Sequence, residues 1–72
     1  MEIYGISLIL NNAVLIKKRY KEEITPIQLQ EFKECYEALV ADGGFTLIVL
    51  YCDSNGNWMG ASKSQLEALF LN

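Results

Sequence analysis

The chain contains no histidine, two cysteines and a single proline. Without an imidazole, Ser-His-Asp and Cys-His catalysis and histidine-bearing zinc sites are excluded. Cys35 and Cys52 are too few for a disulfide scaffold, and we interpret both as chemically quiet structural thiols. With one proline and a hydrophobic fraction of 51%, the composition also excludes disorder. We therefore expect a folded protein that is not an enzyme, with no cofactor and no bound metal; the alternative of a small enzyme or enzyme subunit would need carboxylate or thiol chemistry.

Long apolar segments and a basic leader are missing as well. The stretch from Ile6 to Leu10 is apolar but short, follows the acidic Glu2 and runs into two asparagines. It fits neither a signal peptide nor a membrane span. A chain of 72 residues is near the lower limit at which a single core suffices. We expect one compact domain, residues 1–72, in the cytoplasm and without a membrane partner.

Turn and capping residues divide the chain into two units, each a β-hairpin followed by a helix. Asn11-Asn12 and Asn55-Gly56 indicate the hairpins, because asparagine and glycine tolerate the left-handed backbone of tight turns. The predicted helix caps are Thr25 with Gln28 and, later, Ser62 with Gln65 or Ser64 with Glu67. The predicted elements are strands over 2–10 and 13–20, a helix over 27–41, strands over 45–52 and 57–61, and a last helix after the second cap.

This order predicts an α+β fold, a four-stranded antiparallel sheet of ββαββα order with two helices on one face. The strand over 45–52 does not alternate apolar and polar side chains, so both faces of the sheet should be covered there. Two helices on one face leave the other apolar, and we expect a homodimer through it. Because aromatic residues are enriched at interface cores, we assign Phe45, Leu47, Val49 and Tyr51 to this self-associating face.

Acidic residues occupy one side of the first predicted helix, opposite its apolar stripe. Glu31, Glu34 and Glu37 form this acidic helix face, which is either a solvated surface or a docking site for a basic protein partner. Trp58 and Met59, beside the second hairpin turn, are either part of the core or an apolar anchor for a partner. These features favour a small regulator, adaptor or inhibitor, such as a bacterial or bacteriophage accessory protein, whose protein partner the sequence does not identify.

Positive charge is concentrated in one segment: Lys17, Lys18, Arg19 and Lys21 are four of the six basic residues. On a strand, Lys17, Arg19 and Lys21 project from one face, and we call these three the basic ribbon. The ribbon predicts, as the alternative function, nucleic-acid binding through phosphates, with Tyr20 as a stacking residue. Lysines on an edge strand also prevent edge-to-edge aggregation, and the net charge of −3 argues against nucleic acid.

Two loop segments are only partly similar to ligand-binding motifs. The segment from Asp53 to Asn57 resembles the start of a calcium loop, but Trp58 and Ser64 replace the glycine and the glutamate that such a loop requires. Residues 60–64 resemble a phosphate loop only loosely. A hairpin turn and a helix cap account for the two segments, and no motif identifies a family.

Overall fold

A computed structural model describes residues 2–42 and 47–70. The elements are β1 (Gly5–Leu10), β2 (Ala13–Arg19), α1 (Pro26–Asp42), β3 (Leu47–Cys52), β4 (Trp58–Gly60) and α2 (Lys63–Phe70). The four strands form one antiparallel sheet in the order β2-β1-β3-β4. The predicted α+β class and ββαββα order are confirmed. In the described part of the chain, neither helix has the length and apolar character needed to cross a membrane.

Both predicted hairpin turns are present, and each depends on left-handed backbone. Asn11 and Asn12 have φ values of 50° and 68° between β1 and β2, and Gly56 has a φ of 85° between β3 and β4. Asparagine and glycine are the residues that adopt this region at least cost. In β2, Leu15 is an extra residue, because Ile16 pairs with Leu8 whereas Val14 pairs with Ile9. This β-bulge bends the strand near the first turn.

Each helix begins at a capping box. Thr25 Oγ1 accepts a hydrogen bond from the Gln28 backbone N–H at 3.2 Å, and the Thr25 N–H donates to Gln28 Oε1 at 3.0 Å. Ser62 and Gln65 exchange the same two bonds at 3.3 and 2.8 Å. Ser62 is therefore the cap of α2, which decides between the two predicted alternatives.

The core lies on the face of the sheet that we call the inner face. Ile6 and Leu8 of β1 and Val49 of β3 pack there with Phe32 of α1 and Phe70 of α2. The Tyr36 ring of α1 stacks on Phe70 with centroids 4.8 Å apart, so that the two helices contact each other as well as the sheet. Each of the two hairpin-and-helix units therefore contributes its helix to the same core.

The assignment of Leu47, Val49 and Tyr51 to the outer face of the sheet is wrong. Val49 is 4% exposed, and Leu47 and Tyr51 pack against the core. Residues directly opposite in paired strands share a face, and Val49 lies opposite the buried Leu8. Because β3 is apolar on both sides, its own pattern does not determine which side meets the helices; its pairing with β1 does. The fourth residue of the set, Phe45, lies outside the described residues.

Candidate functional site

The outer face of the sheet, opposite the helices, has two halves that differ in how far other side chains shield them from solvent. Side chains of the protein itself shield one half, around Gly5, Ser7 and Cys52, and we call it the covered half. The other, the apolar half, remains accessible; its residues are Ile9, Val14, Ile48 and Leu50.

Trp58 and Lys17 close the covered half from opposite edges of the sheet. The Trp58 ring reaches across β3 to β1, because a Cβ built on Gly5 would lie 3.1 Å from its Cη2 atom. Lys17 Nζ lies 4.8 Å from the centre of the same ring, a cation–π contact. Cys52 and Ser7, whose strand positions lie between these two side chains, are 0% and 1% exposed. The contact therefore spans all four strands.

Arg19, at the end of β2, packs on the turn between β3 and β4. A Cβ on Gly56 would lie 2.9 Å from the Arg19 guanidinium, so a glycine at this position allows the close approach. Beside this contact is a pocket of about 210 Å³, which we call the Arg19 pocket; it is lined by Tyr4, Arg19, Tyr20, Lys21 and Ser54. Two members of the basic ribbon, Arg19 and Lys21, thus meet at this pocket, whereas Lys17 lies over Trp58.

The carboxylate of Asp53 is occupied by its own turn. Its Oδ1 accepts hydrogen bonds from the backbone N–H groups of Asn55 and Asn57, both at 2.9 Å. The bond from the Asn57 backbone contributes most to lowering the pKa of Asp53 below its ordinary value. This geometry is that of a hairpin turn rather than a calcium loop. Among residues 2–42 and 47–70, no three acidic, cysteine or histidine side chains form a group that could hold a metal.

The apolar half presents branched side chains directly to solvent. Val14 is 58% and Ile48 43% exposed, and Leu15 at the bulge is 50% exposed. A Cβ on Gly60, which pairs with Leu50, would meet no atom within 4 Å. Sequence reasoning predicted an exposed apolar sheet surface but chose the opposite side of β3. The sequence signal for the correct side lies in β1, where small residues alternate with Ile6 and Leu8. This alternation indicates that the side of Ile6 and Leu8 meets the helices.

The acidic helix face lies in solvent on α1, as expected. Glu31 Oε2 accepts a 3.0 Å hydrogen bond from Lys18 Nζ, and this bond raises the pKa of Lys18 above its ordinary value. Glu34 Oε1 accepts a longer bond, 3.4 Å, from the Gln30 amide, and Glu37 is exposed. Lys18 thus points to the helix side of the sheet, away from the basic ribbon, as its position in the strand predicts.

A groove of about 350 Å³ follows the first turns of α1; it is lined by Pro26, Ile27, Gln30, Glu31 and Glu34. Ile27 is 85% exposed, the highest value among the large apolar side chains that are exposed in the described residues. Sequence reasoning did not select Ile27. The available signal was its spacing, because residues four and seven positions after Ile27 lie on the same side of a helix, and they are Glu31 and Glu34.

The remaining candidates lie at other positions. Trp58 is half-buried over the covered half, whereas Met59 points to the opposite side of the sheet and is 37% exposed. Cys35 is half-buried in α1, and Cys52 is buried with its Sγ donating to the Asp53 carbonyl at 3.3 Å. Comparisons of the chain with protein-family models, with curated proteins and with solved structures find no match.

Proposed function

We propose that the protein is a non-enzymatic protein-binding module that docks a basic segment of its partner on α1. The supporting observation is Ile27, which is 85% exposed in a groove beside Glu31 and Glu34. A single exposed apolar residue is ordinary, but an apolar side chain that lines a groove together with carboxylates has the composition of an interaction site.

The charges on α1 define the chemistry of this partner. Within the described residues the sole ion pair joins Glu31 to Lys18, so no cation of this part of the chain pairs with Glu34 or Glu37. A partner segment that carries lysine or arginine beside an apolar residue would pair with these carboxylates while its apolar residue covers Ile27. Such charge complementarity accelerates association most strongly at low salt.

The test compares two charge reversals of equal size. The partner is first identified by affinity capture from the native host, and its binding is then measured at two salt concentrations. Glu34→Lys with Glu37→Lys should slow association and weaken binding, whereas Glu22→Lys with Glu23→Lys, exposed and outside the helix, should have little effect. An equal loss in both double variants would indicate a bulk charge effect and would contradict docking on α1, as would full binding by both.

We also propose that the protein self-associates weakly through the apolar half. The exposed side chains of Val14 and Ile48 support this proposal. The surface proposed for self-association is therefore on the opposite side of β3 from the one expected from the sequence. With strands about 4.8 Å apart and about 3.3 Å per residue, a patch three strands wide and three residues long projects roughly 140 Å². Stable dimers bury about 800 Å² per partner, so this patch forms the centre of a small interface and the dimer should dissociate readily.

Substitutions on neighbouring positions of β3 test this surface. Ile48→Glu should give a folded monomer, because Ile48 is 43% exposed, whereas Val49→Glu should unfold the protein, because Val49 lies in the core. Sedimentation equilibrium at up to about a millimolar of protein measures the association. A wild type that stays monomeric throughout, or an Ile48→Glu variant that still dimerises, would contradict it.

Nucleic-acid binding, the alternative function, has less support. Two cations of the segment already contact other side chains, Lys17 over Trp58 and Lys18 with Glu31. If phosphates were nevertheless the target, Lys17→Glu with Arg19→Glu would abolish salt-dependent retention on heparin. Absence of retention by the wild type would remove this alternative.

A further inference from the structure

We propose that the Arg19 pocket binds a phosphate group of a small molecule, either inorganic phosphate or a phosphate monoester. This inference goes beyond protein binding, because it concerns a different element and a different class of ligand. The pocket lies between the end of β2 and the turn that joins β3 to β4, away from the groove on α1.

Every side chain that lines the pocket carries a hydrogen-bond donor. Arg19 contributes a guanidinium, Lys21 an ammonium, Tyr4 and Tyr20 their phenol groups, and Ser54 a hydroxyl. None of these side chains has a hydrogen-bond or ion-pair partner within residues 2–42 and 47–70. The residues that line this one small pocket thus carry two cations and three hydroxyls, a donor set suited to the oxygens of a phosphate.

Among the described residues, no carboxylate forms an ion pair with the cations of the pocket. Asp53 precedes Ser54 in the chain, but its carboxylate accepts the backbone N–H groups of Asn55 and Asn57. Glu22 follows Lys21 and forms no ion pair among the described residues. Arg19 and Lys21 are therefore available to an anion, although the whole chain carries a net charge of −3.

Backbone hydrogen bonds hold the chain in place at two of the lining residues, Tyr4 and Tyr20. The Tyr4 N–H donates to the Cys52 carbonyl at 2.8 Å, and the Tyr4 carbonyl accepts the Tyr20 N–H at 2.7 Å. Arg19 packs against Gly56 at the other side of the pocket. A site that is held in place before binding loses less conformational entropy when the ligand enters.

Size and charge favour a phosphate group over a larger ligand. The volume of about 210 Å³ is below the roughly 300 to 1,000 Å³ of pockets that enclose drug-sized molecules. Two positive side chains match a phosphate that carries between one and two negative charges at neutral pH, and the guanidinium fork matches two of its oxygens.

Binding is measured by NMR titration of the intact protein with inorganic phosphate and, separately, with glycerol phosphate, at an ionic strength held constant with chloride. Amide signals of Ser54 and Tyr20 should shift and saturate. Saturation with both ligands would indicate recognition of the phosphate group itself, whereas saturation with one alone would identify free phosphate or the monoester as the source.

Neutral variants and a matched control complete the test. Arg19→Gln and Lys21→Gln should each weaken phosphate binding by about tenfold or more, whereas Lys63→Gln, an equal charge change at the start of α2, should not. The proposal is overturned if neither ligand produces saturable shifts, or if Lys63→Gln weakens binding as much as Arg19→Gln. Binding of heparin without binding of either small phosphate would also overturn it.

Discussion

Gly5 and Gly60 are two strand glycines in opposite surroundings on the outer face. A Cβ on Gly5 would lie 2.6 Å from the backbone oxygen of Lys18 and 3.1 Å from the Trp58 ring. A Cβ on Gly60 would enter open space. Neither glycine has a positive φ. The difference between them is therefore one of packing.

Alanine at these two positions should have different effects on stability. Gly5→Ala should lower the free energy of unfolding by about 1–3 kcal/mol, because the backbone of β2 must move away from the added methyl group. Gly60→Ala should lower the free energy of unfolding by no more than about 0.5 kcal/mol. It should even raise this free energy if the main effect of alanine is to restrict the unfolded chain. Urea denaturation of both variants measures the difference, and equal midpoints would contradict the close approach at Gly5.

Asp53 makes the turn between β3 and β4 sensitive to acid. Its pKa is lowered chiefly by the hydrogen bond from the Asn57 backbone, so the charged carboxylate is favoured in the folded protein. A group of this kind stabilises the fold above its unfolded pKa of about 3.9. That contribution is lost as the pH falls through the lower, folded pKa.

The stability difference between wild type and Asp53→Ala should therefore shrink in acid. At pH 7 the variant should be less stable, because the N–H groups of Asn55 and Asn57 lose their acceptor. The gap in urea midpoint should narrow as the pH falls from about 4 downward. Asp53→Asn is the control, because its amide oxygen still accepts both N–H groups without the charge. A gap that does not vary with pH would rule out the charge as its cause.

At the scale of elements, the two helices differ in their dependence on their caps. α1 has 17 residues and contributes Phe32 to the core, whereas α2 has 8 residues. Isolated helices shorter than about 12 residues are marginal in water. The capping box of Ser62 with Gln65 therefore contributes a larger share of the stability of α2 than the cap of α1 contributes to that longer helix.

Removal of the α2 cap should loosen that helix before the rest of the protein. Ser62→Ala should cost about 1 kcal/mol and accelerate amide hydrogen exchange in α2, because the Gln65 N–H loses its acceptor. Ser54→Ala, an equal change on the exposed turn between β3 and β4, should alter neither α2 exchange nor stability by more than about 0.5 kcal/mol. Exchange that rises equally in both variants would exclude a specific capping role for Ser62.

Elements whose signals are local could be predicted from the sequence. The turns at Asn11-Asn12 and Asn55-Gly56, and the cap at Thr25, are found where short-range chemistry places them. The ends of strands, which depend on tertiary pairing, were predicted less accurately. For example, β1 begins at Gly5 rather than at residue 2.

The faces of β3 could not be predicted, for a physical reason. Val49 and Ile48 are both apolar and adjacent, so no alternation separates the side that meets the helices from the side that does not. The choice depends on the pairing of Val49 with Leu8, across about forty residues of chain. The Arg19 pocket depends on the same kind of long-range pairing, because it joins Tyr4 to Ser54.

For the whole molecule, the contact between Lys17 and Trp58 connects the two edge strands above the covered half. Cys52 lies opposite Trp58 in the strand pairing and is completely buried. A large part of the shielding of this thiol therefore comes from one aromatic side chain rather than from a helix.

Removal of that side chain should expose the thiol. In a Cys35→Ala background, which leaves Cys52 as the single thiol, labelling by a thiol reagent should be slow and limited by unfolding. Adding Trp58→Ala should accelerate labelling by about tenfold or more in protein that is still folded by circular dichroism. Lys17→Gln, which removes the cation but keeps the ring, should accelerate it less. Rapid labelling before Trp58 is removed would contradict the shielding.

Trp58 is the sole tryptophan in the chain, and this gives the protein a built-in optical probe. Its ring lies on Gly5, contacts Lys17 and adjoins the strands that carry both the Arg19 pocket and the apolar half. Its intrinsic fluorescence therefore reports on the outer face of the sheet, while α1 lies on the other side. Titrations of phosphate and of protein concentration should each change the emission, whereas a partner bound to α1 should leave it nearly constant, so events on the two faces can be followed separately in unlabelled protein.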